Sequence, residues 1–598
     1  MRVAIAQIHP KKADYAENLR RIGAVLAQVG KGTKRDRPGL VIFGETATSG
    51  YFLEGGVRDA AVTAGTLYRD LAALHEAAGL PPLDVCLGFY ELYHDRIFNA
   101  ALYATLGGDD AGLRHVHRKV FLPTYGVFDE ERFVDAGRSV EAFDTAWGRV
   151  AILICEDVWH SAAATIAALD GAQLLIVPSA SPARGVEPSA SGRLNSGDVW
   201  ERVIRRSAEE HGVYVALASI VGFEGGKGLQ GHSLLVGPDG QVLVTGPNFE
   251  QGILTGELDH RVLARARADQ PLLADLEVAL PSLLRARRTR PPEGSGATPH
   301  GPPEGEVFAP GTVKASRHPV LEPEAAQNPL AIAPELLEEW LVAFLRDEVM
   351  VRRGFTKGLV GLSGGVDSAV TAALAARALG PENVTGVRMP YRTSSKESLA
   401  HAEQVARALG IDLEDVDLTA AVDGLLKASP GKADAHQRGN VIARMRMIVL
   451  FDLSAKRKAL PLGTGNKTER LLGYFTWHAD DAPPVNPLGD LFKSQVWALA
   501  RHLGIPEEIV AKPATADLIR GQTDEDDLGI SYPKADLILH WLVKGLDAAE
   551  VAALGFTARE VATVRQRLDA THWKRSLPTV AMISSTAIGQ GYLRPVDY

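Results

Sequence analysis

Apolar residues fall along the first half of the chain in short runs, "VAIAQI" from Val3, "LVIFGE" from Leu40, "VAILICED" from Val150 and "AQLLIVPSA" from Ala172, separated by polar or helix-spaced stretches. Runs of this length suit buried strands, and their alternation with helical stretches predicts a layered α/β domain. A second pattern begins at "PELLEEWLVAFLRDEV". Proline stands at its start and Leu337, Leu341, Phe344 and Leu345 follow at helical spacing, so a helix opens a new domain there. Leu359, Val360 and Leu362 then form a short apolar run suited to a parallel strand, and the alanine-rich stretch Asp367 to Leu379 reads as a helix. Between about Arg285 and Pro334 the chain is dense in proline, glycine and charge with no sustained apolar period, which is the composition of a linker. The expected division is a first domain over 1–275, a linker over 276–333 and a second domain over 334–598, without internal repeats.

Composition narrows the function classes. A chain of 598 residues is too long for one core. Its net charge of -9 argues against a broad nucleic-acid or membrane-binding surface while leaving room for local cationic pockets. Two cysteines, Cys86 and Cys155, exclude a disulfide framework and point to a reducing compartment. No apolar stretch reaches 18 residues, and "MRVAIAQIHP" enters a strand directly, so a cytoplasmic location is expected, with neither membrane nor nucleic acid as partner.

The strand-to-helix junction "SGGVDS" (Ser363 to Ser368) carries the first chemistry. Gly364 and Gly365 would let backbone amides approach an anion at the positive end of the following helix, and Ser363 and Ser368 add hydroxyl donors. A Walker loop would place lysine before the Ser/Thr, and the dinucleotide fingerprint requires G-x-G-x-x-G, so both fail. Aspartate in such a loop repels bare phosphate unless a hard cation such as Mg²⁺ stands between them, which makes Asp367 a metal candidate. The plainer alternative is a capped helix N-terminus.

In the first half Glu45, Lys119 and Cys155 sit at or near strand ends, where α/β proteins place ligand chemistry. Singly they read as a solvated strand end, a basic surface residue and core filling. Together they can supply base, electrophile and nucleophile. Their order in "VIFGETATSGY", "RKVFLPTYGVFDEERF" and "LICEDVW" resembles the nitrilase superfamily of amidases, its glutaminase branch in particular, over about residues 1 to 275. The resemblance implies an α-β-β-α sandwich. It also implies that Glu45 is the general base, Lys119 stabilises the tetrahedral intermediate, Cys155 forms a thioester, Glu130 supports Lys119, and Tyr125 and Glu156 line a glutamine pocket.

"SGGVDS" resembles the pyrophosphate loop of the ATP pyrophosphatases, which activate an acid by adenylation. "GNVIARMRMIVLFDLS", "LGTGNKTERLLGYFT", "NPLGDLFKSQVWALARHLGIP" and "GQTDEDDLGISY", with "WKR" and Pro578, resemble NAD synthetase over residues 334 to 590. An amidase half ahead of it matches the family of glutamine-dependent NAD synthetases. That resemblance implies a doubly wound parallel sheet of the adenine nucleotide alpha hydrolase kind. It implies ATP bound by Gly361, Leu362, Ser363, Gly364, Gly365, Val366, Asp367, Ser368 and Thr464, and deamido-NAD bound by Asn440, Arg444, Glu469 and Lys574. Lys467 and Lys493 would offset phosphate charge, and Asp367 and Glu469 would ligate Mg²⁺. ATP, deamido-NAD and glutamine are the implied substrates, and relatives assemble as homo-oligomers.

One stretch departs from that family. After "GYFT" many relatives read K-Y-G-D-G and a later Asp, whereas this chain has Trp477, His478, Ala479, Asp480 and Asp481, with Pro484 at the later position. Trp477 either stacks on a substrate ring or packs under the changed loop, and packing is the favoured reading. Amidation of another acid through an acyl-adenylate, and a carbon-nitrogen hydrolase with a regulatory nucleotide module, stay open beside the main reading.

Overall fold

The computed structural model describes residues 1–31, 33, 36–189, 192–288, 328–515 and 523–576. They form two compact units. In the first, one sheet runs in spatial order Gly252–Glu257, Arg2–Gln7, Leu40–Phe43, Leu83–Tyr93, Arg96–Leu106 and Gly112–Arg118. A second runs Val242–Thr245, Leu234–Val236, Tyr214–Ser219, Leu174–Ser179, Arg149–Ile152 and Ala142–Asp144. The strands are apolar on both sides because both sides are covered. Val3, Ile5, Leu40 and Ile42 share a core with Val150, Ile152, Leu174 and Ile176 of the other sheet. Their neighbours Ala4, Ala6, Val41 and Phe43 meet Ile22 and Leu26 of helix Tyr15–Gly30 and Leu67 and Leu71 of helix Ala64–Ala77. This is the strand period of two, with each face given its own partner layer. Ala164 and Ala167 of helix Ser161–Leu169 and Ile204 of helix Asn195–His211 complete the α-β-β-α sandwich.

The same strands deliver the candidate residues. Glu45 follows Leu40–Phe43, Lys119 follows Gly112–Arg118, and Cys155 follows Arg149–Ile152. Strand Leu83–Tyr93 passes so close to the first of these ends that the amide of Gly88 donates to the Gly44 carbonyl at 3.1 Å.

In the second unit four strands lie parallel in the order Asp412–Asp415, Val384–Arg388, Gly358–Gly361 and Leu460–Leu462. Gly358–Gly361 comes first along the chain; the next two strands extend the sheet to one side and the fourth lies on the other. A topological switch point therefore falls at its C-terminal end, where open α/β sheets bind ligands. Helix Val366–Leu379 leaves that end and is buried almost throughout, as expected of a helix apolar all round. Helix Pro334–Arg346 packs through Leu337, Leu341 and Leu345. Leu472, Phe492, Tyr532, Ile538 and Val561 form a smaller core among the later helices.

The segment expected to be linker from residue 276 is helical at its start, since helix Leu272–Arg288 continues through it with Pro281 inside. Its run of Leu, Ala, Glu and Arg favours helix, and one proline removes only one ladder bond. Residues 289–327 lie outside the described residues, as do Gly521 and Pro578 of the quoted motifs. Among the described residues no helix is long and apolar enough to cross a membrane.

A Cβ at Gly88 would stand 2.5 Å from the Thr46 amide nitrogen and 2.6 Å from Glu45 Cα, both backbone atoms. Gly88→Ala is therefore expected to lower the thermal midpoint of this unit by several degrees, the effect of about 1–3 kcal/mol of overpacking. Calorimetry checks it; an unchanged midpoint would show that the strand yields without strain.

Candidate active sites

Lys119 has no exposed surface and neither has Glu45. The lysine Nζ stands 2.8 Å from Glu45 Oε1 and 3.0 Å from Glu130 Oε1, and Asn99 Nδ2 donates to the same two oxygens at 2.7 and 2.9 Å. Burial opposes the ammonium charge, but Glu130 and Glu45 outweigh it and hold the lysine protonated. Two carboxylates against one ammonium leave an excess of negative charge. Burial first, and then repulsion from Glu130, push the Glu45 carboxyl up against the pull of Lys119. Among the described residues Glu45 Oε2 accepts no hydrogen bond, so one oxygen is ready for a proton.

Cys155 opens a short 3₁₀ turn, Cys155–Trp159, with φ at 45°, a region that costs a side-chain-bearing residue strain. Its thiol is raised by burial and by Glu45, with Lys119 acting the other way. Ser179 Oγ donates to the sulfur at 3.4 Å. The resting group is a thiol, and the Glu45 carboxyl whose charge raises it is itself held above its usual range. Tyr125 donates to Glu156 at 2.8 Å at the open side. A cavity of about 160 Å³ walled by Tyr51, Phe52, Tyr90 and Phe128 adjoins Glu130.

In the second unit the phosphate-loop candidates close on themselves. The Ser363 and Ser368 hydroxyls lie 3.2 Å apart, and Ser368 Oγ donates to the Gly365 carbonyl at 3.0 Å. Gly364 has φ 76° and a Cβ there would fall 2.1 Å from the Ser398 carbonyl oxygen, so only glycine fits. Gly365 differs from expectation: its φ of -100° suits any residue, and a Cβ would only touch Ser363 Oγ at 3.4 Å. Lys493, 2% exposed, forms a close ion pair with Asp367 and stands 3.8 Å from Glu469. Burial and then the charge of Asp367 push the Glu469 carboxyl up to about 8, although Lys493 opposes them. Asp536, fully buried, accepts from the Ser494 amide at 2.7 Å and bonds the hydroxyls of Ser494 and Thr468, so one side chain braces the residues beside Lys493 and Glu469. Among the described residues no three acidic, imidazole or thiol side chains converge as a ready metal cage.

Two cavities lie at the switch point. One of about 210 Å³ is walled by Ser363, Asp367, Ser368, Thr464, Glu469 and Lys493 among others; the other, about 150 Å³, meets Gly361, Leu362, Ser363 and Thr464.

Residues 337–578 match the NAD synthase family model, and residues 2–268 match that of the carbon-nitrogen hydrolases. The NH(3)-dependent NAD(+) synthetase of Trichlorobacter lovleyi is 46% identical over 270 residues, which is 45% of this chain and 98% of that protein. The chain belongs to the NAD synthetase family. A carbon-nitrogen hydrolase domain precedes the synthetase domain within it. The fold of the glutamine-dependent NAD+ synthetase of Acinetobacter baumannii is similar over 100% of this chain and 98% of that one, with a TM-score of 0.68 and 24% identity. That of the Cytophaga hutchinsonii enzyme is similar over 96% and 93%, at 0.66 and 15%.

Several residues expected at the substrates of this NAD synthetase family member make contacts within the chain. Asn440 accepts from Thr476 Oγ1 at 3.1 Å, Arg444 donates to the Trp477 carbonyl at 3.3 Å, and Lys574 donates to the carbonyls of Gly473 and Phe475 at 2.8 and 3.0 Å. All three bond to the 473–477 loop. Lys467 pairs with Asp490 at 2.8 Å. Trp477 packs edge-on against Trp573 with ring centroids 5.2 Å apart. Arg446, which sequence reasoning passed over, walls both cavities, and Lys512, also unforeseen, walls the larger and donates to Ser398 Oγ at 2.8 Å. Helix geometry is the signal that finds Arg446: Asn440 and Arg444 share one face four residues apart, whereas 446 lies two further on and points elsewhere. Asn99 gave no motif-level signal.

Replacing Lys119 by methionine would leave two carboxylates buried without their cation. A loss of about 3 kcal/mol or more is expected at pH 8. Without the ammonium the folded state binds carboxyl protons more tightly than the unfolded chain does. Stability held through such raised groups is present at low pH and lost as pH rises through them, so the deficit shrinks at pH 5. Urea unfolding at both pH values decides it; a pH-independent deficit would mean that the carboxylates stay ionised.

Proposed function

We propose that this chain amidates the nicotinate carboxylate of deamido-NAD at the expense of ATP, taking its nitrogen from glutamine. The observation that carries the reading is the buried Glu45–Lys119–Glu130 cluster acting on a free thiol, in a chain whose other domain is an NAD synthase. Glu45 accepts the Cys155 proton as sulfur attacks the glutamine carboxamide carbon, and the Lys119 ammonium faces the oxyanion. Collapse breaks the carbon-nitrogen bond, Glu45 returns the proton to the departing ammonia, and a thioester remains. Water, deprotonated by Glu45, then releases glutamate and restores the thiol. Tyr125 and Glu156 are the proposed glutamine contacts.

At the switch point the loop Gly361 to Ser368, with Thr464, is the proposed ATP site. A nicotinate carboxylate oxygen bonds the α-phosphorus as pyrophosphate leaves, and Lys493 offsets the charge on that pyrophosphate. Ammonia then attacks the acyl carbon and AMP leaves, giving NAD. The Glu469 carboxyl, pushed up to about 8 by burial and the charge of Asp367, would exchange its proton for a hard cation arriving with the triphosphate. Asp367 and Glu469 would hold Mg²⁺, which neutralises phosphate charge when bound. Asn440, Arg444, Glu469 and Lys574 are the proposed deamido-NAD contacts, and Lys467 is the remaining proposed phosphate cation.

Two variants test the two halves. Cys155→Ala is expected to lower glutamine-driven NAD formation by roughly 10³-fold or more, as loss of a covalent nucleophile does, while synthesis with high ammonium persists. Undiminished glutamine-driven synthesis would reject Cys155. Asp367→Ala is expected to abolish pyrophosphate release dependent on deamido-NAD while glutamine hydrolysis continues, measured with radiolabelled ATP and by glutamate formation. Normal pyrophosphate release would return Asp367 to a helix-capping role.

A further inference from the structure

One buried carboxylate ties the turn carrying the thiol to the strand end carrying the lysine. Asp157 is fully buried. Its Oδ1 accepts from the amides of Val120 and Phe121 at 3.0 Å each, and its Oδ2 accepts from the amide of Ile154 at 2.9 Å and stands 2.8 Å from His117 Nε2. His117 is itself 2% exposed. A carboxylate offers about four lone-pair sites, and four donors reach this one.

The donors come from both sides of the reacting pair. Ile154 precedes Cys155, Val120 follows Lys119, and His117 lies two residues before Lys119. The Asp157 amide also donates back to the Ile154 carbonyl at 2.9 Å, so aspartate and turn grip each other twice. The strained backbone at Cys155 needs surroundings that hold it there, since the thiol's own bond to Ser179 is long.

We infer that Asp157 is the positioning residue that fixes the Cys155 turn against Lys119, with His117 orienting its carboxylate. This deepens the reading of Cys155 as nucleophile and rests on it. Asparagine has the same shape but only one acceptor oxygen. It can accept from Val120 and Phe121 or from Ile154 and His117, and at the other pair its N–H would face a backbone N–H.

Asp157→Asn is therefore expected to lower kcat for glutamine hydrolysis by about 10- to 100-fold, the scale of a small misplacement of reacting groups, with KM for glutamine changed less than about threefold. Alkylation of Cys155 by iodoacetamide, followed on its own peptide to separate it from Cys86, slows by about tenfold or more on the same grounds. NAD synthesis driven by ammonium is retained, which excludes general unfolding. His117→Leu shows a smaller loss of kcat, and His117→Gln, which returns a donor, recovers part of it. Alkylation needs no glutamine, so it decides the placement of Asp157 even if the wild type proves unable to hydrolyse glutamine. The proposal is overturned if Asp157→Asn leaves both kcat and alkylation within about twofold of wild type, or if ammonium-driven synthesis falls in equal measure. Should that variant fail to accumulate, the histidine pair decides: an unchanged kcat in His117→Leu overturns the proposal.

Discussion

A lysine ammonium with no access to water must be answered by the protein alone, and much of the first unit is arranged around that demand. Lys119 meets Glu45 and Glu130, and Asn99 bonds both carboxylates. These four residues come from separate strand ends, loops and strands, so the sheet must bring them together to within hydrogen-bond distance. Gly88 shows how little slack remains, because the strand beside Glu45 passes where even a methyl group would strike backbone. Such a cluster is poor evidence of stability, since well-packed apolar residues often serve as well or better. With two carboxylates for one ammonium, the Glu45 carboxyl is held above its usual range, and burial holds the Cys155 thiol up as well.

The second unit reaches a comparable charge arrangement by another architecture. Lys493 is almost as buried as Lys119 and also faces two carboxylates, Asp367 and Glu469, but the fold that presents them is a parallel sheet at its switch point. The sheet supplies the loop, the helix Val366–Leu379 supplies Asp367, and Asp536 braces the helix starts that carry Glu469 and Lys493. Here the two carboxyl groups lie beside open cavities instead of a thiol. Each unit thus buries one ammonium between two carboxyl groups, beside a thiol in one and beside open cavities in the other.

Much of this was legible because some residue types announce their constraints. Short apolar runs marked the strands, alanine-rich spacing marked the helix after "SGGVDS", and the order of Glu45, Lys119 and Cys155 marked one site. What stayed hidden depended on direction. Arg444 and Arg446 look alike in sequence, yet two residues along a helix carry a side chain to roughly the opposite face, and it is Arg446 that walls the cavities. Gly364 and Gly365 are likewise alike until φ separates a required glycine from a permitted one. Asn99 and Asp157 leave no mark because a buried polar residue declares itself only through partners far along the chain.

Glu45, Lys119, Glu130 and Cys155 are ordinary side chains whose reactivity depends on placement to a fraction of an ångström. Lys119 and Cys155 reach the site from segments 36 residues apart, and Asp157 accepts amides adjoining both. A carboxylate with every lone pair engaged resists displacement more than one with a pair to spare, because each movement leaves a buried N–H without its acceptor. The strain at Cys155 can then persist, since relaxing the turn would break bonds on both sides of the same aspartate.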